Sequence, residues 1–91
     1  MLTKLIQKIF KRQTKISGHV LRFRRMGGII LAQIQDCRKN IVQIMIKKEQ
    51  ILHEDYESLS QTLKIGDLIS FRGETFIDLT GERSILVKKL Y

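Results

Sequence analysis

Apolar and polar residues alternate along most of the chain, and the alternation is broken at a few places by glycine or by charge. Ile16 to Arg25 and Ile29 to Asp36 are two such runs flanking Gly27-Gly28, a dipeptide suited to the positive φ angles of a two-residue hairpin turn. That turn would set Arg24 opposite Leu31 and Phe23 opposite Ala32. Phe23, Ile30, Ala32 and Ile34 then share one face, the core side, while Arg24, Leu31 and Gln33 point away from it. After the polar connection Cys37-Arg38-Lys39-Asn40, a third strand over 41–46 sends Val42, Ile44 and Ile46 inward and Gln43 and Met45 outward.

The period then changes. In residues 53–63 Tyr56, Leu59 and Leu63 recur at i, i+3 and i+7, which predicts a helix, with Glu54, Asp55 and Glu57 in the first turn where the helix dipole favours them. A fourth strand is expected over 68–76, a turn at Asp78-Leu79-Thr80-Gly81, and a fifth strand over 83–90. Residues 2–13 set Leu2, Leu5, Ile6, Ile9 and Phe10 on one side at helical spacing, with Lys4, Lys8, Lys11 and Arg12 mostly on the other. The expected organisation is therefore a basic amphipathic N-terminal helix over residues 1–14 and one domain over 15–91. Five strands with a helix between the third and fourth predict an all-β small barrel of the OB type. A ferredoxin-like sandwich would need a second long helix after the early strands, and the pattern holds none.

Composition bounds the function. At 91 residues the chain supports one modest core. Its apolar runs fall short of the roughly 20 residues of a membrane span, so none is expected. Cys37 is the single cysteine, which excludes a disulfide within the chain and favours a cytoplasmic location. The net charge is +8, and it is polarised: residues 1–48 hold twelve Lys and Arg against Asp36 alone, while residues 49–91 hold five against eight acids. Such a surface attracts polyanions, nucleic acid first and anionic lipid second.

No catalytic constellation is visible. His19, His53 and Cys37 lack the spacing of metal ligands, so neither a metal nor another cofactor is expected. Gly27-Gly28 is explained by the hairpin and lacks the flanks of a phosphate loop. The outward face of the first three strands does suit single-stranded nucleic acid. Arg22 and Arg24 can contact phosphate or stack on a base, and Gln33 and Gln43 offer paired donors and acceptors to base edges. Glu82 lies in the loop between the fourth and fifth strands, which flanks this face in OB barrels. Phe23 is read as inward, so Leu31 rather than an aromatic occupies the outward position beside Arg24.

These residues carry a resemblance. The run GHVLRFRRMGGIILAQIQD, Gly18 to Asp36, resembles the first two strands of the N-terminal anticodon-binding domain of class II lysyl-tRNA synthetases. VQIMIKK, LKIGDLISFRGETF and LTGERSILVKKL resemble its later strands in the same order. The aspartyl and asparaginyl enzymes share the fold, but the Met26-Gly27 turn and the Thr80-Gly81-Glu82 hairpin are more similar to the lysyl branch. The resemblance implies that the chain binds a tRNA anticodon stem-loop. Arg24 matches a first-strand arginine near the anticodon, Gln43 a third-strand glutamine, and Glu82 a hairpin glutamate that reads a uridine edge. Leu31 departs from the pattern, standing where the family has a phenylalanine stacked on the central anticodon base.

The chain is too short for that family's catalytic part. Both an excised synthetase domain and a free-standing, non-catalytic relative fit this reading. So do two other functions: a non-specific binder of RNA or single-stranded DNA, and an assembly module that forms a homodimer.

Overall fold

The computed structural model describes residues 13–77 and 81–91. Five strands, β1 (Gln13–Met26), β2 (Ile29–Gln35), β3 (Ile41–Lys47), β4 (Leu68–Ile77) and β5 (Arg83–Leu90), close into a barrel in the order β1-β2-β3-β5-β4. Helix α1 (His53–Thr62) joins β3 to β4. All neighbours are antiparallel except β3 and β5, which run parallel. This is the five-stranded OB barrel with one helix that the alternation predicts. The predicted N-terminal helix falls mostly outside the described residues. Its last two positions, Gln13 and Thr14, instead begin β1, pairing with Glu74 and Gly73.

The hairpin register is the expected one, with Phe23 opposite Ala32 and Arg24 opposite Leu31. Gly27 and Gly28 both take positive φ, 42° and 89°, the backbone that lets a two-residue turn follow the twist of its strands. Inward residues of every strand fill the interior: Val20, Ile30, Ile34, Ile44, Ile46, Phe71 and Val87 are all buried. Each such aliphatic side chain removed from water contributes roughly 1.5–3 kcal/mol before the entropy of ordering is subtracted. Tyr56 of α1 and Leu63 just after it join this core, with Leu59 packed against it. Phe23 is half-buried among the core residues, and the Arg25 guanidinium lies 5.1 Å from its ring centroid.

β1 is longer than the alternation suggests and serves two neighbours. Gln13 to His19 pair with β4, and from His19 onward the strand pairs with β2, with a bulge at Leu21 between Val20 and Arg22. The extra residue bends the strand and restores alternation, so that Val20 faces in and Arg22 faces out.

Asp36 organises the turn from β2 to β3. Its Oδ1 accepts the main-chain N–H of Asn40 at 2.8 Å and of Arg38 at 2.9 Å, and Lys39 between them holds φ 67°. The Asn40 N–H is the main reason that the carboxyl titrates below its ordinary value of 3.8. A carboxyl lowered in the folded state adds stability above the unfolded value and loses it as pH falls through the folded one. Asp36→Asn is therefore expected to melt below the wild type at pH 7, with the gap closing in acid below 3.8. A gap independent of pH in thermal melts would mean that the ionised carboxylate is not what holds the turn.

Candidate nucleic-acid interface

Strand register assembles a single outer face from residues scattered along the chain. Paired residues project to the same side of a sheet, so the ladders can be followed across the barrel wall. One row runs Arg22, Gln33, Gln43, Ser84, Phe76, and the next runs Arg24, Leu31, Met45, Leu86, Glu74. Arg22, Arg24, Leu31, Gln33 and Gln43 together line one open hollow on this face. Five of the predicted site residues are thus brought together. Both arginines are exposed, whereas Leu31, Gln33 and Gln43 are half-buried. Side chains held by their neighbours in this way lose less freedom when a ligand arrives.

Glu82 is exposed and directly precedes β5, two residues before Ser84, the register partner of Gln43. Gly81 before it has φ 89°, as expected for the turn, while Asp78, Leu79 and Thr80 lie outside the described residues. Lys4, Lys8, Lys11 and Arg12, the expected basic N-terminal surface, also lie outside them.

Two members of the face are not evident from local pattern. Phe76 is half-buried and falls on this face by register, while the aromatic ring that lines the hollow itself is that of Phe23, which the alternation sets inward. Phe76 sits two ladders from Gln43, about 10 Å at the usual strand spacing. Ser84, 2% exposed, lies between them, and among the described residues its hydroxyl has no hydrogen-bond partner. A buried hydroxyl left unpaired costs roughly 1–3 kcal/mol. The missing information is long-range: the β3–β5 and β4–β5 registers place both residues, and no window of sequence contains them. Among the described residues no three of His, Cys, Asp and Glu gather as a metal site, and no helix is long and apolar enough to cross a membrane.

The comparisons agree with this architecture. Asparaginyl-tRNA synthetase from Pyrococcus horikoshii superposes with a TM-score of 0.79 at 22% identity, over 98% of this chain and 21% of that one. A lysine-tRNA ligase of Fusobacterium nucleatum subsp. nucleatum is 33% identical over 76 residues, 84% of this chain and 15% of that protein. The lysine-tRNA ligase of Aquifex aeolicus is 32% identical over 78 residues, 86% of this chain and 13% of that protein. The lysylphosphatidylglycerol biosynthesis bifunctional protein LysX of Mycobacterium marinum is 27% identical over 74 residues, 81% of this chain and 7% of that protein. This chain therefore spans only a small fraction of the length of these relatives. The model of the OB-fold nucleic acid binding domain of tRNA anticodon type matches residues 14–91, and the chain belongs to that family.

Proposed function

We propose that the chain binds the anticodon loop of a tRNA, that of lysine tRNA first, on the face formed by β1, β2 and β3. The observation that carries this reading is the convergence of Arg22, Arg24, Gln33 and Gln43 on one hollow, with Leu31 beside them. Two guanidinium groups supply phosphate contacts, and two carboxamides supply donors and acceptors that match a uracil edge. Glu82, two residues before the register partner of Gln43, is the acidic group offered from the β4–β5 side. Leu31 offers apolar contact where an aromatic ring would stack. The exposed single thiol of Cys37 accords with a reducing, cytoplasmic setting.

Binding is expected to be electrostatic in large part. With about four phosphates engaged, log affinity should fall against log salt with a slope near −3, at roughly 0.7 per contact for single strands. Deleting residues 1–12 removes Lys4, Lys8, Lys11 and Arg12, and should weaken binding to all RNAs alike without changing the order of preference. Anisotropy titrations with a lysine-tRNA anticodon stem-loop and an unrelated stem-loop test both points. Equal affinity for the two loops would replace the anticodon reading with a generic single-strand binder. A slope near zero would remove nucleic acid altogether.

A second reading, self-association, is favoured by one observation. Leu68 and Ile65 are exposed by 63% and 68%, and both lie beside the β1 bulge that carries exposed Leu21: Leu68 pairs with His19, and the Gly66 N–H donates to the Val20 carbonyl. Light scattering during size-exclusion chromatography distinguishes a dimer through this end from a monomer.

A further inference from the structure

The wall formed by β1, β4 and β5 carries a second cationic cluster, distinct from the hollow. Lys15 pairs in register with Arg72, and Arg72 pairs with Lys89, so three positive side chains form one row across three strands. Their inward neighbours, Ile16, Phe71 and Leu90, form the matching row toward the core, which sets the cations outside. Tyr91 completes the cluster. Its N–H donates to the Ser70 carbonyl at 3.0 Å, continuing the strand, and its ring lies 4.6 Å from Lys15 Nζ, 5.6 Å from Lys89 Nζ and 5.9 Å from Arg72 Cζ.

This arrangement works against local stability. Like charges directly opposite one another in a sheet repel, and a residue choice that breaks a local rule without a folding gain points to function. The nearby carboxylate, Glu74, pairs with Lys88 at 4.0 Å, and no carboxylate of the described residues pairs with Lys15, Arg72 or Lys89. The Tyr91 ring partly offsets the repulsion by offering its π face to the three cations. All four side chains are exposed. Among the described residues, then, no carboxylate side chain is ion-paired with the three cations, which face solvent along a line that crosses the strands.

We infer that Lys15, Arg72, Lys89 and Tyr91 form a second contact surface for single-stranded RNA, taking the phosphates of a strand whose bases are held at the Gln33–Gln43 face. The inference rests on the nucleic-acid reading of that face. β1 links the two surfaces, carrying Lys15 in its β4-paired half and Arg22 and Arg24 in its β2-paired half. A strand that reaches both must be longer than one confined to the hollow, within the roughly 4–16 nucleotides that one such barrel covers.

Length is therefore the discriminating variable. Anisotropy would be measured with labelled oligouridines of about 5 and about 16 nucleotides, the two ends of that range. Arg72→Ala/Lys89→Ala is expected to weaken the longer oligomer at least about fivefold and to flatten its salt slope by about 1.4, two contacts at roughly 0.7 each. Affinity for the shorter oligomer should stay within about twofold of the wild type, and thermal melts should show the variant folded, since both side chains are exposed. Arg72→Lys/Lys89→Arg, which keeps both charges, should bind the longer oligomer as the wild type does. Unchanged affinity for the longer oligomer in the alanine variant would overturn the inference, as would an equal loss at both lengths. Failure of the wild type to bind either length would instead sink the reading of the Gln33–Gln43 face, and this one with it.

Discussion

Leu31→Phe is expected to tighten binding to a uridine-rich anticodon stem-loop by roughly ten- to a hundredfold, the worth of one base stacked on an aromatic ring. Leu31 lies on the outer face between Arg24 and Met45 in the strand ladders, half-buried at the edge of the hollow. A ring at that position would lie beside the Arg24 guanidinium and diagonally across from Gln43. The stack would then hold a base while Gln43 reads its edge. In a Gln43→Ala background the gain for the uridine-rich loop over an unrelated loop is expected to vanish, because stacking alone accepts any base. Melting temperature should change little in Leu31→Phe. The same substitution at buried Ala32 should overpack the core and cost roughly 1–3 kcal/mol. Unchanged affinity accompanied by a large loss of melting temperature in Leu31→Phe would require the binding face to be abandoned.

Gly73→Ala is expected to be the most damaging single methyl in the barrel. Gly73 is buried in β4 at a bulge, where β1 pairs on one side and β5 on the other. A Cβ there would overlap the Leu86 carbonyl oxygen and lie 2.7 Å from Cγ2 of Ile85. The first obstacle is backbone, so relief requires β5 to move. A cost of roughly 3 kcal/mol lowers the melting temperature of a domain this size by about 12–24 °C. Gly81→Ala makes a contrast, since among the described residues nothing lies within 4 Å of its Cβ and the positive φ of 89° is the strain that remains, at roughly 1–2 kcal/mol. A Gly73→Ala protein melting within a few degrees of the wild type, or above Gly81→Ala, would mean that the β4–β5 contact is looser than these distances imply.

Much of this fold was legible because its determinants are local. Alternation in Ile29 to Ile34 and in Val42 to Ile46, together with Gly27-Gly28, is enough to place Arg24, Leu31, Gln33 and Gln43 on one face, because a hairpin register follows from its turn. The bulge at Leu21 was not legible: one apolar residue in a mixed run looks like any other until Val20 and Arg22 are seen to face opposite sides. Phe76 and Ser84 escaped for a different reason. Their place beside Gln43 depends on the parallel β3–β5 pairing, which joins segments separated by a helix and another strand. Charge showed the same limit. Splitting the chain into halves locates the excess of cations near the start, yet the Lys15, Arg72 and Lys89 row draws from both halves and from the half with net negative charge.

The double duty of β1 has a consequence for how the protein is made. Its second half can pair with β2 as soon as the hairpin emerges, but its first half waits for β4, whose Glu74 pairs with Gln13 from about sixty positions further along the chain, a non-local closure of the kind that slows folding. Through that interval the segment Gln13 to His19 is an open strand edge, able to template pairing with another nascent chain. Lys15 puts charge on that edge, the usual safeguard against such mispairing during synthesis.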